Sequence, residues 1–118
     1  MKVVKAFVTF DDFYSRAEWV AGVPSSSKIR PEEDLNVLAS LEDLYLPVTL
    51  FIPGKTVEKF PEEIRYVAHK HEVACHGYEH ENMRELSFGQ QRLVISKSLA
   101  AIKKTIGQIP VGWRSPYF

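Results

Sequence analysis

His71-Glu72-Val73-Ala74-Cys75-His76-Gly77-Tyr78-Glu79-His80-Glu81 reads as a short apolar strand running directly into a polar turn. Val73 to Cys75 suits a buried strand, and the turn that follows carries His76 and His80 at an i, i+4 spacing. Strand ends that open into loops are where α/β proteins expose chemistry. Imidazole is also the commonest ligand side chain for borderline divalent metals. By themselves the two histidines read equally well as solvated loop residues, so the sequence around them has to decide.

Working upstream, Pro61-Glu62-Glu63 opens a helix, with proline at the first position and acids at the positive end of the dipole. Ile64, Val67 and Ala68 carry this helix to about His69. Before it, Val48-Thr49-Leu50-Phe51-Ile52 is a buried strand ending at Pro53-Gly54. Pro31-Glu32-Glu33 starts an earlier helix, with Leu35, Leu38, Leu41 and Tyr45 along one face and Pro47 as its stop. Val3 to Phe10 is almost continuously apolar and β-favouring, the signature of a strand covered on both faces. It ends in Asp11-Asp12. The connection Phe13 to Arg30 is long and turn-rich, and loops of that length are usually functional covers.

Downstream, Ser87 with Gln90 makes a capping box. Ile95, Leu99, Ile102 and Ile106 stripe the longest helix as far as Gly107. A fourth short strand, Val111-Gly112-Trp113, leads into Arg114-Ser115-Pro116-Tyr117-Phe118. Strands alternating with helices imply βαβ crossovers and a parallel sheet, an α/β architecture of about four βα units. Such sheets bind ligands at the carboxyl ends of their strands. Asp11 and Asp12 follow the first strand, His76 and His80 the third, and Arg114 the fourth. All of them therefore converge on one rim.

Composition narrows the function classes. The 118 residues suffice for one domain burying about two thirds of its unfolded surface. Fifteen basic and fifteen acidic residues cancel, which leaves no basic excess for nucleic acid or an anionic membrane. The lone Cys75 cannot form an internal disulfide, and beside His76 it reads as a core thiol. Lys2 to Phe10 meets two aspartates where a signal peptide needs small residues, and no apolar run is long enough to span a bilayer. These features lead to the expectation of a cytoplasmic protein without membrane partners.

Two neutral imidazoles and one carboxylate form a three-ligand set with an open position, the pattern of catalytic zinc. One aspartate is then left to act as a general base. Neighbouring residues of a regular strand point to opposite faces, so both aspartates reach the site only if the chain bends there. Arg114 would orient the base carboxylate through a charge-assisted bond. Set against these readings, Asp11-Asp12 also suits a solvated turn or helix cap, and Arg114 a surface ion pair. His69 and His71 read as a helix C-terminal dipole partner or as exposed residues. Trp113 reads as core, with sugar stacking open to it and Tyr117. Glu79 and Glu81 read as loop solvation, with an outer-sphere role next.

Thr9-Phe10-Asp11-Asp12, then His76-x-x-x-His80, then Arg114-x-Pro116-Tyr117 resembles the first three ordered motifs of the polysaccharide deacetylase (NodB-homology) family. Chitin and peptidoglycan deacetylases belong to that family, and the likeness runs over essentially the whole chain, as the N-terminal part of such a catalytic domain. It implies an incomplete (β/α) barrel that hydrolyses an N-acetyl amide on a sugar with zinc or another divalent metal. It further implies Asp11 as base, Asp12, His76 and His80 as metal ligands, Arg114 orienting Asp11, and the Tyr117 backbone amide at the oxyanion. Gly77 stands where the family usually has Ser or Thr, Phe13 replaces a glycine, and the later motifs with the general acid have no counterpart. Gly77-Tyr78 resembles a branch that also holds allantoinase-like members, so a cyclic-amide hydrolase acting on a small amide is an alternative. A truncated metal-binding domain without catalysis is another. Four strands against about eight in a closed barrel leave an unpaired edge, so a homo-oligomer or a separate C-terminal half is expected to cover it.

Overall fold

The computed structural model describes residues 2–16, 20 and 32–117. Three parallel strands, β1 (Thr9–Asp11), β2 (Thr49–Ile52) and β3 (Glu72–Cys75), lie side by side in sequence order. Asp11 is in register with Phe51 and Ile52 with Cys75, so the carboxyl ends finish together on one rim. The helices are α1 (Glu32–Asp43), α2 (Gly54–Lys59), α3 (Pro61–Ala68) and α4 (Phe88–Ile106). Leu50, Ile52, Val73 and Cys75 face the helical layer and form its core with Leu38, Val57, Ile64, Val67 and Ile102. Each such side chain contributes about 1.5–3 kcal/mol through burial. Phe51 and Ala74, out of phase with that set, face the other way.

Strand β1 is shorter than the apolar run that contains it. Thr49 donates to the Val8 carbonyl at 3.1 Å, but upstream of Thr49 the neighbouring strand has ended. With nothing to pair against, Val3, Val4 and Phe7 stand 84%, 85% and 89% exposed. The anticipated fourth strand is likewise reduced to a single parallel bridge between Cys75 and Trp113. Cys75 donates to Gly112 and Arg114 donates back to Cys75, both at 3.0 Å. Pro110 has no N–H to extend the ladder and Gly112 has no side chain to pack. The sheet therefore counts three strands and one bridge among the described residues.

Helix boundaries follow the local chemistry. Ser87 and Gln90 form the expected capping box at α4, and Gly107 ends it at φ 79°. Pro61 stands in the first turn of α3, and His69, exposed, caps its far end. Helix α1 stops at Asp43 because the Leu44 and Tyr45 amides turn back onto Leu41 and Glu42. Tyr45 leaves the helix at φ 56° and is solvent-exposed, where the periodicity placed it in the core. Helix α2 begins at Pro53-Gly54, which reads locally as a turn. Phe13 and Tyr14 are buried, Tyr14 edge-on to Phe60 at 4.7 Å. Ser15 bonds Thr56 at 2.6 Å and Arg16 pairs with Asp34 at 3.2 Å. The start of the expected covering loop is thus core, and most of its remainder, with Pro31, lies outside the described residues.

His71 is buried at the opposite end of the sheet from the rim. Its Nδ1 accepts the Val48 N–H at 3.2 Å, which puts the proton on Nε2, 2.9 Å from Glu42. Hydrogen bonds from His71 and from the Lys70 ammonium, the latter at 3.0 Å, hold the Glu42 carboxyl below its ordinary pKa. His71 is therefore a bolt between α1, β2 and β3, and neither exposed nor a dipole partner.

Candidate metal centre

Asp12 leaves strand geometry at φ 58°, a left-handed conformation that aspartate tolerates better than most residues. This bend lets both aspartates turn toward the rim. The Asp12 amide donates to Phe51 at 3.0 Å, which ties the bend to β2. On the other side, β3 delivers His76 at its end, and Gly77 (φ 74°) and His80 (φ 60°) curl the loop so that both rings face Asp12. His80 Nε2 lies 3.3 Å from one Asp12 oxygen, and His76 Nε2 lies 3.8 Å from the other. The two rings meet edge-on at 5.1 Å. One donor atom from each of the three residues falls within 4.8 Å of the others.

The chemistry of these atoms fits a cation. His76 Nδ1 is 2.9 Å from the Arg114 carbonyl, an acceptor only, so Nδ1 carries the proton and Nε2 keeps a lone pair. Burial pushes the His76 pKa below its ordinary value, against the Arg114 carbonyl and the Asp12 and Asp11 charges, which raise it. A neutral lone pair of His76 thus faces the Asp12 carboxylate. The Oδ1 of Asp12 and the Nδ1 of His80 are buried without a hydrogen-bond partner among the described residues, an arrangement that costs stability unless another group satisfies them. Asp12, His76 and His80 together supply the carboxylate and imidazole donors that a zinc-like ion would take.

Beside this triad, the Arg114 guanidinium donates to Asp11 Oδ1 at 2.8 Å and to Thr9 Oγ1 at 3.0 Å. It lies 4.1 Å above the Phe51 ring, which fixes its plane. The Tyr117 ring packs edge-on to His80 at 4.8 Å. Trp113 is 44% and Tyr117 52% exposed, so Trp113 is not core; both stand at the open rim. Cys75 points away, its thiol donating to Ser98 at 3.1 Å, and burial raises its pKa. The six residues singled out from sequence therefore gather on one rim: Asp12, His76 and His80 as a triad, Asp11 with Arg114, and Tyr117 against His80.

Some of the supporting groups were not legible. Thr9, which opens the first motif, and Phe51 both anchor Arg114, a role that nothing in the sequence marks. Gly54 and Lys55 donate their amides to Gly77 and Tyr78, both at 3.0 Å, so the start of α2 holds the histidine loop. Lys55 also pairs with Glu79 at 2.8 Å. Glu81 accepts the amides of Tyr78 and Glu79, each at 2.9 Å, which makes it a loop brace instead of a solvated acid.

A sequence model described as polysaccharide deacetylase matches residues 2–118. A peptidoglycan deacetylase of Helicobacter pylori is 35% identical over 83 residues, covering 70% of this chain and 28% of that protein. Among solved structures, a family 4 carbohydrate esterase of Streptomyces lividans, in complex with acetate, superposes with a TM-score of 0.72. It is 28% identical, and the match covers 94% of this chain and 50% of that one. An allantoinase matches less of the chain, 67%, at a TM-score of 0.64 and 22% identity, a likeness of fold alone. The deacetylase structures are (β/α) barrels, and this chain, a partial α/β domain with its sheet parallel, spans about half the length of the one from Streptomyces. Matched over nearly its whole length, the chain belongs to the polysaccharide deacetylase family.

Proposed function

We propose that these residues form the N-terminal part of a metal-dependent N-deacetylase, which hydrolyses the acetamide of an N-acetylated sugar or polysaccharide. One observation carries the reading: three deprotonatable donors converge on one point, beside a carboxylate held by an arginine, in a chain of this family. Asp12, His76 and His80 would hold zinc or another divalent ion, which when bound lowers the pKa of water and polarises a carbonyl. Asp11 takes the proton from the attacking water. The Arg114 guanidinium keeps it ionised and aimed, and Phe51 and Thr9 keep the guanidinium in place. The Tyr117 backbone amide, in a left-handed turn beside His80, is the donor to the developing oxyanion. Exposed Trp113 and Tyr117 offer flat faces to a sugar ring. A C-terminal half, or a second copy of the chain, would complete the barrel and supply the proton for the leaving amine.

The test is acetate release from N-acetylated chitooligosaccharides and peptidoglycan fragments, by the chain alone and with its completing half. Activity lost to a chelator and restored by zinc supports the reading. Turnover of a cyclic ureide in place of the sugars favours the allantoinase-like alternative. Metal uptake with no turnover on any amide leaves a binding domain, and metal-independent turnover overturns the assignment.

A further inference from the structure

We propose that Glu81 is a positioning residue of this site, its carboxylate setting the spacing of the two imidazoles from inside the loop that joins them. The inference rests on the reading of Asp12, His76 and His80 as metal ligands. Between the histidines lie three residues whose amides belong to no strand or helix. Glu81 takes two of them, Oε2 from Tyr78 and Oε1 from Glu79, both at 2.9 Å. Such bonds to a carboxylate are about twice as strong as neutral ones. The chain thereby closes on itself immediately after His80, whose φ of 60° persists only where the surroundings over-determine it. From outside, the Gly54 and Lys55 amides grip the carbonyls of Gly77 and Tyr78. Glu81 supplies the matching grip within.

Gly77 is the other half of the device. A Cβ there would lie 2.7 Å from Glu81 Oε2, so the carboxylate occupies the space a side chain at position 77 would fill. Its φ of 74° disfavours a side chain independently. The Glu81 carboxylate and the left-handed backbone thus each favour glycine at position 77. Glu79, by contrast, pairs through its side chain with the Lys55 ammonium, a half-exposed pair.

Cobalt titration of the 118-residue chain tests this, with visible absorption for ligand geometry and chelator competition for affinity. Glu81→Ala should weaken cobalt binding about 10–100-fold, the usual effect of losing a group that orients metal ligands, and should shift the absorption band. The circular dichroism spectrum should hold. Glu81→Gln, nearly isosteric, should fall between, because one amide oxygen replaces two acceptors. Glu79→Ala should change affinity by less than about fivefold. Gly77→Ala should weaken binding less in the Glu81→Ala background than in the wild type, since its collision partner is gone. Wild-type affinity and an unchanged band in both Glu81 variants would overturn the proposal while leaving the metal reading intact. A wild-type chain that takes up no cobalt would overturn both.

Discussion

Gly54→Ala and Gly89→Ala make the same chemical change in two helices and should act in opposite directions. Gly54 opens α2, where an added Cβ would lie 2.8 Å from Tyr78 Cδ2 and 2.9 Å from the Ser98 Cα of α4. The second contact is backbone and cannot be relieved by a rotamer change. Overpacking of this kind costs about 1–3 kcal/mol, whereas alanine gains about 0.5–1 kcal/mol over glycine inside a helix. At the middle of each range the clash wins, for a net loss of about 1.3 kcal/mol. Unfolding entropy near 2.1 cal/mol/K per residue gives about 0.25 kcal/mol per degree for 118 residues, so Tm should fall by ~5 °C. A methyl group added at Gly89 would meet nothing within 4 Å, so only the helix gain operates there, worth a rise of ~2–4 °C. Gly54 also donates to Gly77 beside the histidines and its neighbour Tyr78 would be pushed, so Gly54→Ala should weaken metal binding while Gly89→Ala leaves it alone. Thermal unfolding by circular dichroism with metal titration measures both. A Gly54→Ala protein at least as stable as the parent would refute the packing account.

Two further outcomes are expected. Asp11→Asn should keep metal, because Asp11 is outside the ligand set, while acetate release by the completed enzyme drops about 10²–10⁴-fold; metal loss on this change would show that the two aspartates have been given each other's roles. His76 has its pKa depressed by burial, so in the metal-free chain the unfolded state binds more protons in the window below about 6.5. Its contribution is therefore fully present above that pH and lost as pH falls toward the lower folded value. Urea midpoints of metal-free protein across pH 5–8 should decline on the acid side, and His76→Gln should flatten that limb.

Much of the site was readable from sequence because its residues sit at strand ends, and strands announce themselves by apolar runs. The order Asp11-Asp12, His76 and His80, Arg114 maps onto one rim once the sheet is known to be parallel. Lengths were harder to read. Val3 to Phe10 has strand composition throughout, but a strand exists only where a neighbour pairs with it, and β2 offers partners only from Thr49. Composition cannot report that limit. His71 shows the complementary blindness: its burial depends on Val48 and Glu42, both more than twenty residues away. Tyr45 fits the helical period, yet the turn at Leu44 takes it out of the helix. Glu81 was ambiguous because its partners are backbone amides, which every sequence has and none displays.

Arg114 does two jobs from one position. Its carbonyl fixes the proton on His76, and its guanidinium, reaching back across 103 residues, steadies Asp11. The proposed base and one metal ligand therefore share a single hinge point, and any slide of that residue along the Cys75 bridge displaces both in concert. Contacts so distant along the chain carry a large closure entropy and slow folding. A substitution that moves the Arg114 backbone should disturb the aspartate and the imidazole together.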